Sequence, residues 1–123
     1  MTSTAKETVL LFLNAMNAED FELARKYVAD DMKFIGVMGT RDNAASYFAD
    51  MEKMRFKYEI KKVLADNHDV SVFYDINMSG QTIFTSGWYH VNDGKIEWFK
   101  VLFDPRPLLE QAPKKEPVAV SKS

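Results

Sequence analysis

The feature that most constrains this chain is a change of hydrophobic period near its middle. Up to about Met54 apolar residues recur at helical spacing. From Phe56 to Asp104 they alternate, and the alternating run is cut by Asp66-Asn67-His68-Asp69, Ser79-Gly80 and Asn92-Asp93-Gly94. Alternation sends successive side chains to opposite faces of a strand, and Gly, Asn and Asp supply the left-handed backbone that tight hairpins require. Four strands are therefore expected, Phe56 to Leu64, Val70 to Met78, Gln81 to Val91 and Lys95 to Asp104, joined as an antiparallel meander. Helices followed by a meander specify an α+β fold.

In the first half, Val9, Phe12, Leu13 and Met16 follow the i, i+3, i+4, i+7 rule and mark one stripe of a first helix. Asp20 is placed to cap a second, with Phe21, Ala24 and Val28 as its buried stripe, Leu23 and Tyr27 beside it, and Asp30 and Asp31 at its end. A short strand, Met32 to Met38, leads to Thr40. That residue is read as the cap of a third helix with Ala44, Tyr47, Phe48 and Met51 at helical spacing.

The turns also fix a register. A two-residue Ser79-Gly80 turn sets Met78 opposite Gln81, Tyr74 opposite Thr85 and Val72 opposite Gly87. A three-residue Asn92-Asp93-Gly94 loop would pair Val91 with Lys95, Gly87 with Phe99, and Thr85 with Val101, leaving Trp88 facing Trp98 on the other side. One face then carries Val70, Val72, Tyr74, Ile76, Ile83, Thr85, Gly87, Tyr89, Phe99, Val101 and Phe103, apolar enough to pack on the helices. The other carries Phe73, Phe84, Trp88, Trp98 and Leu102 among polar residues. That is more aromatic surface than a monomer of this size leaves in water, so those five residues are expected to form a homodimer interface.

Composition narrows the function. At 123 residues there is room for one domain, and a net charge of -2 gives no footprint for nucleic acid. The absence of cysteine removes disulfides, thiolate metal sites and cysteine nucleophiles. His68 in a turn and His90 on the outer face do not share metal-ligand spacing, so neither a metal nor another cofactor is expected. The apolar run Val9 to Leu13 is too short for a signal sequence or a membrane span, which reads as a cytoplasmic protein with no membrane partner. Beyond Asp104 the prolines and lysines cannot build a core. The division expected is a folded domain over 1–109 and a disordered Pro/Lys-rich tail over 110–123.

Several segments carry a family resemblance: Phe-Leu-Asn-Ala-Met-Asn-Ala-Glu-Asp at 12–20, Val-Ala-Asp-Asp at 28–31, Gly39-Thr40-Arg41-Asp42, and Asp93-Gly94-Lys95-Ile96 leading to Phe103-Asp104-Pro105. In this order the chain resembles the nuclear transport factor 2-like superfamily, in particular its SnoaL-like and ketosteroid isomerase-like branches. The resemblance implies a cystatin-like α+β roll, a cone-shaped curved antiparallel sheet wrapped around three N-terminal helices. The isomerase-like members use a strand aspartate as base, and a tyrosine and a protonated aspartic acid as oxyanion donors. The resemblance sets Phe12, Gly36 and Gly87 at those positions, of the tyrosine, the base and the protonated acid respectively, and none of the three carries the functional group.

The reading that follows is a domain that binds a small apolar molecule. Its pocket is expected to be lined by Phe12, Met16, Phe34, Phe48, Met51, Tyr74, Thr85, Tyr89, Phe99, Val101 and Phe103, with Gly36 and Gly87 leaving space in the wall and a Tyr74/Thr85 couple as its polar contact. The alternatives are an isomerase, cyclase or dehydratase-like lyase acting on a small hydrophobic carbonyl substrate through Tyr74, Tyr89 or an acid elsewhere, and a protein association module. Asp30, Asp31 and Asp104 are read as helix-end and strand-end residues. Because a proline-rich polar tail buries little, removing 110–123 should leave the thermal midpoint nearly unchanged. A loss of several degrees in a melting scan would mean that the tail docks on the domain.

Overall fold

The computed structural model describes residues 4–78 and 80–110. It contains α1 (Ala5–Asn17), α2 (Phe21–Arg25), β1 (Val28–Ile35), β2 (Thr40–Arg41), α3 (Ala44–Met54), β3 (Lys57–Asp66), β4 (Asp69–Met78), β5 (Gln81–Asn92), β6 (Lys95–Phe103) and α4 (Arg106–Glu110). The six strands form one curved, unclosed sheet in the order β2-β1-β6-β5-β4-β3. The meander β3 to β6 is antiparallel, β1 joins β6 in parallel, and the helices lie in the hollow of the sheet. Of the tail expected over 110–123, only the backbone of Glu110 lies within the described residues.

Local sequence explains the starts of the helices. Thr4 and Glu7 form a reciprocal capping box on α1, each side chain accepting from the other's backbone N–H at 3.1 and 3.0 Å. Asp20 caps α2 as expected, accepting from the Leu23 N–H. That helix is shorter than its apolar spacing predicts. It ends at Arg25, and Val28, Asp30 and Asp31 belong to β1, because Val28 finds a ladder partner in Ile96 of β6. The strand expected over Met32 to Met38 therefore runs earlier, and Val37 and Met38 fall in a turn closed by the Gly36 N–H donating to the Gly39 carbonyl. Thr40 is not the cap of the third helix. It sits in β2, and Asn43, in extended backbone, accepts from the Ser46 N–H instead.

The β4–β5 register is the one its turn dictates, with Tyr74 across from Thr85 and Val72 across from Gly87. The next hairpin differs from expectation. Asp93 and Gly94 both have positive φ, 54° and 72°, so the turn has two residues and pairs Asn92 with Lys95. A bulge beyond Val91 then shifts the ladder so that Tyr89 pairs with Phe99, Gly87 with Val101 and Thr85 with Phe103. The net shift from the expected pairing is two residues, so every side chain keeps its face. Trp88 stands across from Lys100 and Trp98 across from His90, and the two indoles meet diagonally at 5.0 Å.

The core is an aromatic cluster on the hollow side. Phe12 packs edge-on against Phe48, Tyr89 and Phe99 at 6.1 to 6.4 Å, and Tyr89 stacks on Phe99 at 4.6 Å. Such pairs contribute about 0.5–1.5 kcal/mol each beyond the area they bury. Two contacts hold the open end of the sheet to the helices. The Asn17 side chain donates to the Tyr58 carbonyl at 2.8 Å and accepts from the Tyr58 N–H at 2.7 Å, and Glu19 bridges Arg55 and Lys57. No described helix is long and apolar enough to cross a membrane.

Candidate functional site

A cavity of about 310 Å3 opens between α3, the β1–β2 turn and the ends of the strands. Of the residues expected to line it, Phe34, Met51, Tyr74, Tyr89, Phe99, Val101 and Phe103 do so. Phe12, Met16, Phe48 and Thr85 lie outside the lining, packed in the core and between 0 and 5% exposed. The Tyr74/Thr85 couple does not form. Thr85 donates to the Ile83 carbonyl, while the Tyr74 hydroxyl meets the Tyr89 hydroxyl at 2.6 Å.

Four phenols make up the polar part of the interior: Tyr74 and Tyr89 from the sheet, Tyr58 from the start of β3, and Tyr47 from α3. Tyr74 and Tyr89 are fully buried and form the floor. Burial pushes all four above the ordinary tyrosine range, and the neighbouring phenols add to the effect at Tyr47 and Tyr89. At neutral pH they are uncharged donors. In a phenol pair one hydroxyl donates to the other, and the acceptor keeps its own proton. Around them the wall is apolar, with Ile76, Phe56, Leu108 and a group of methionines, Met38, Met51, Met54 and Met78.

Of the two glycines expected to leave space in the wall, Gly36 lines the cavity and Gly87 does not, and an aromatic side chain stands close against each. A Cβ on Gly87 would lie 2.4 Å from the Tyr74 hydroxyl and 2.9 Å from the Tyr89 ring, and one on Gly36 would lie 2.8 Å from the Phe34 ring. Each glycine is thus the seat of an aromatic side chain. The cavity lies in front of these rings, nearer to the mouth. There Arg41 donates from Nε to Asp50 Oδ2 at 2.6 Å and from Nη1 to the Thr40 carbonyl at 2.7 Å, and both side chains line the wall.

Tyr47, Tyr58, Arg41 and Asp50 were absent from the expected lining. Tyr47 was legible as part of the α3 stripe, one turn before Met51. Tyr58 was hidden by a bulge: an Asn67-His68 turn alone would pair it with Asn77, and the register shift between Ile60 and Lys62 sets it across from the inward Ile76. Arg41 and Asp50 carry no such signal, since charged residues on a short strand and an amphipathic helix read as solvent-facing.

The remaining singled-out residues lie elsewhere. His90 contacts Asp69 at 2.9 Å on the outer face, where the Trp88 indole also donates to Asp69. Asp104 accepts from the Arg106 guanidinium and backbone, which holds its carboxyl below the usual range. Among the described residues no group of three or more His, Asp or Glu is placed to hold a metal.

Helices packed in the hollow of a curved six-stranded sheet, with a cavity opening beside the third helix, define a cone of the nuclear transport factor 2-like class. The chain belongs to the SnoaL-like domain family, whose sequence profile matches residues 9–99. It is 44% identical to an NTF2-like protein of unknown function from Cytophaga hutchinsonii ATCC 33406, with a TM-score of 0.86 over 89% of this chain and 97% of that one. It shares the fold of an LEH-like epoxide hydrolase from M. tuberculosis at 22% identity, with a TM-score of 0.74 and 86% of each chain covered. A comparison with the curated proteins finds no match.

Two predictions follow from the phenols. Gly87→Ala should destabilise the fold by about 1–3 kcal/mol through overpacking, and adding Tyr74→Phe should recover part of that loss, because the clashing atom is the hydroxyl oxygen. Urea unfolding of the four-member cycle measures this, and strict additivity would contradict it. Since the folded phenols ionise later than unfolded ones, their contribution is fully present below pH about 10 and is lost as pH rises through and beyond it. Alkaline titration should therefore show phenolate absorbance from these residues rising together with unfolding.

Proposed function

We propose that this domain binds a small, neutral, largely apolar molecule carrying an oxygen function, and that it does so without ketosteroid isomerase chemistry. The observation that carries the reading is the largely apolar cavity whose floor is a hydrogen-bonded pair of buried, uncharged phenols. An apolar wall removes ligand surface from water, and a few convergent donors fix its orientation. Gly36 and Gly87, aligned with the base and the acid of the isomerase-like branch, hold aromatic rings rather than carboxylates. Phe12, aligned with its tyrosine, packs in the core with no hydroxyl to donate. A glycine neither takes a proton nor stabilises an oxyanion.

One observation favours a second reading, an isomerase, cyclase or lyase: the Asp50 carboxylate lines the cavity. Its side chain is 29% exposed and committed to Arg41, which favours the binding role over that of a base. Equilibrium dialysis with 2-acetylnaphthalene, a neutral aryl ketone, should show one saturable site, and β,γ-unsaturated ketosteroids should isomerise no faster than in buffer. Absence of binding would contradict the first part, and turnover well above the buffer rate the second.

The same proposal includes a homodimer through the outer sheet face. Phe84, Trp88 and Leu102 are 61, 47 and 71% exposed there, beside Phe73 and Trp98. Contiguous apolar patches above a few hundred Å2 are rare on monomers. The chain should sediment as a dimer at micromolar concentration, and Trp88→Glu with Trp98→Glu should yield monomers or aggregates. A wild-type monomer would contradict this assignment.

A further inference from the structure

Arg41 and Asp50 are the charged side chains among the described residues that line the cavity, and they do so at its mouth, 43 and 29% exposed, whereas the Tyr74 and Tyr89 phenols are buried at its floor. The backbone delivers both. Arg41 is in β2, paired across from Phe34, and Asp50 lies one helical turn beyond Tyr47 on α3. Their mutual bond uses Nε and Oδ2, and the Thr40 carbonyl takes Nη1. Nη2 of Arg41 and Oδ1 of Asp50 have no partner among the described residues. An apolar cavity thus has a second polar end, with one uncommitted strong donor and one uncommitted acceptor.

We infer that the Arg41–Asp50 pair is a ligand subsite at the cavity mouth that accepts a neutral oxygen function, a ketone, ester or alcohol, and turns away carboxylates. An isolated guanidinium would select a carboxylate, since a charge-assisted pair is stronger than a neutral hydrogen bond. Here the guanidinium charge is already matched by Asp50 at 2.6 Å. A ligand carboxylate on Nη2 would give up its hydration for a compensated cation and sit beside a second carboxylate. A carbonyl loses little hydration and gains a directed donor. Asp50 is on this account the residue that sets ligand charge, and Arg41 the one that orients the ligand's outer oxygen. The inference rests on the proposed binding role of the cavity.

The test compares 2-acetylnaphthalene with 2-naphthoate, which share a ring system and differ in charge, by titration calorimetry at neutral pH. The wild type should bind the ketone at least about tenfold more tightly, and Asp50→Asn should shrink or reverse that ratio by about tenfold, the larger change falling on the naphthoate. Arg41→Gln should weaken the ketone and leave the acid weak. Desolvation alone also disfavours an acid, so the Asp50→Asn arm is decisive. A ratio unchanged in that variant, or wild-type naphthoate affinity within about threefold of the ketone, overturns the inference while the binding role stands. If neither compound binds the wild type, the binding role itself falls and this subsite with it. Thermal melts of both variants verify folding, since an exposed ion pair contributes little to stability.

Discussion

A phenol removed from water must keep a hydrogen-bond partner, and much of this interior is arranged around that requirement at Tyr74 and Tyr89. The two rings project from neighbouring strands on the same face, and their hydroxyls meet at 2.6 Å. Tyr74 reaches Tyr89 across Gly87, the one position on that path where a Cβ would stand in the hydroxyl's place. The glycine, the β4–β5 register and the stacking of Tyr89 on Phe99 are therefore one device. A one-residue slip of β4 against β5 would put the two phenols on opposite faces of the sheet and turn one strand's core residues outward.

The rest of the cone holds the cavity open in front of that pair. α3 brings Tyr47, Asp50 and Met51 over the strands, and its left-handed C-cap, Arg55, is tied by Glu19 to the corner between α1 and α2. Asn17 pins the start of β3 through the Tyr58 backbone in both directions, which fixes where Tyr58 enters. These braces lie on the rim. The space between them is lined by aromatic rings and flexible methionines, a surface that adapts to ligands of differing outline.

Much of the fold was legible in the sequence because its punctuation is strong. Period two against period 3.6 separated meander from helices, and the Ser79-Gly80 turn fixed the β4–β5 register residue by residue. Where the sequence misled, a tertiary partner had overridden a local pattern. Val28 continues a helical stripe but is taken up by a parallel ladder to Ile96, and Thr40 is a good cap that pairs with Ile35 while Asn43 caps α3 instead. The β5–β6 bulge moved the register, yet its shift of two residues left the inward face intact. The site was less legible. Inward aromatics on the strands follow from parity, but whether a glycine is a void or the seat of a neighbour's ring depends on that neighbour's rotamer, which spacing does not encode. Likewise, nothing in the spacing of Arg41 and Asp50 marks them as facing a cavity rather than solvent.

The central claim is that this cavity, and not the outer sheet face, receives an apolar ligand. The methionines offer a direct reading of it, since Met38, Met51, Met54 and Met78 line the cavity while Met16 and Met32 are buried in the core outside it. In a methyl-labelled sample titrated with 2-acetylnaphthalene, ring-current shifts should appear at those four methyl groups and be far smaller at Met16 and Met32. Shifts absent from the four, or confined to residues around Phe84, Trp88 and Leu102, would contradict the account.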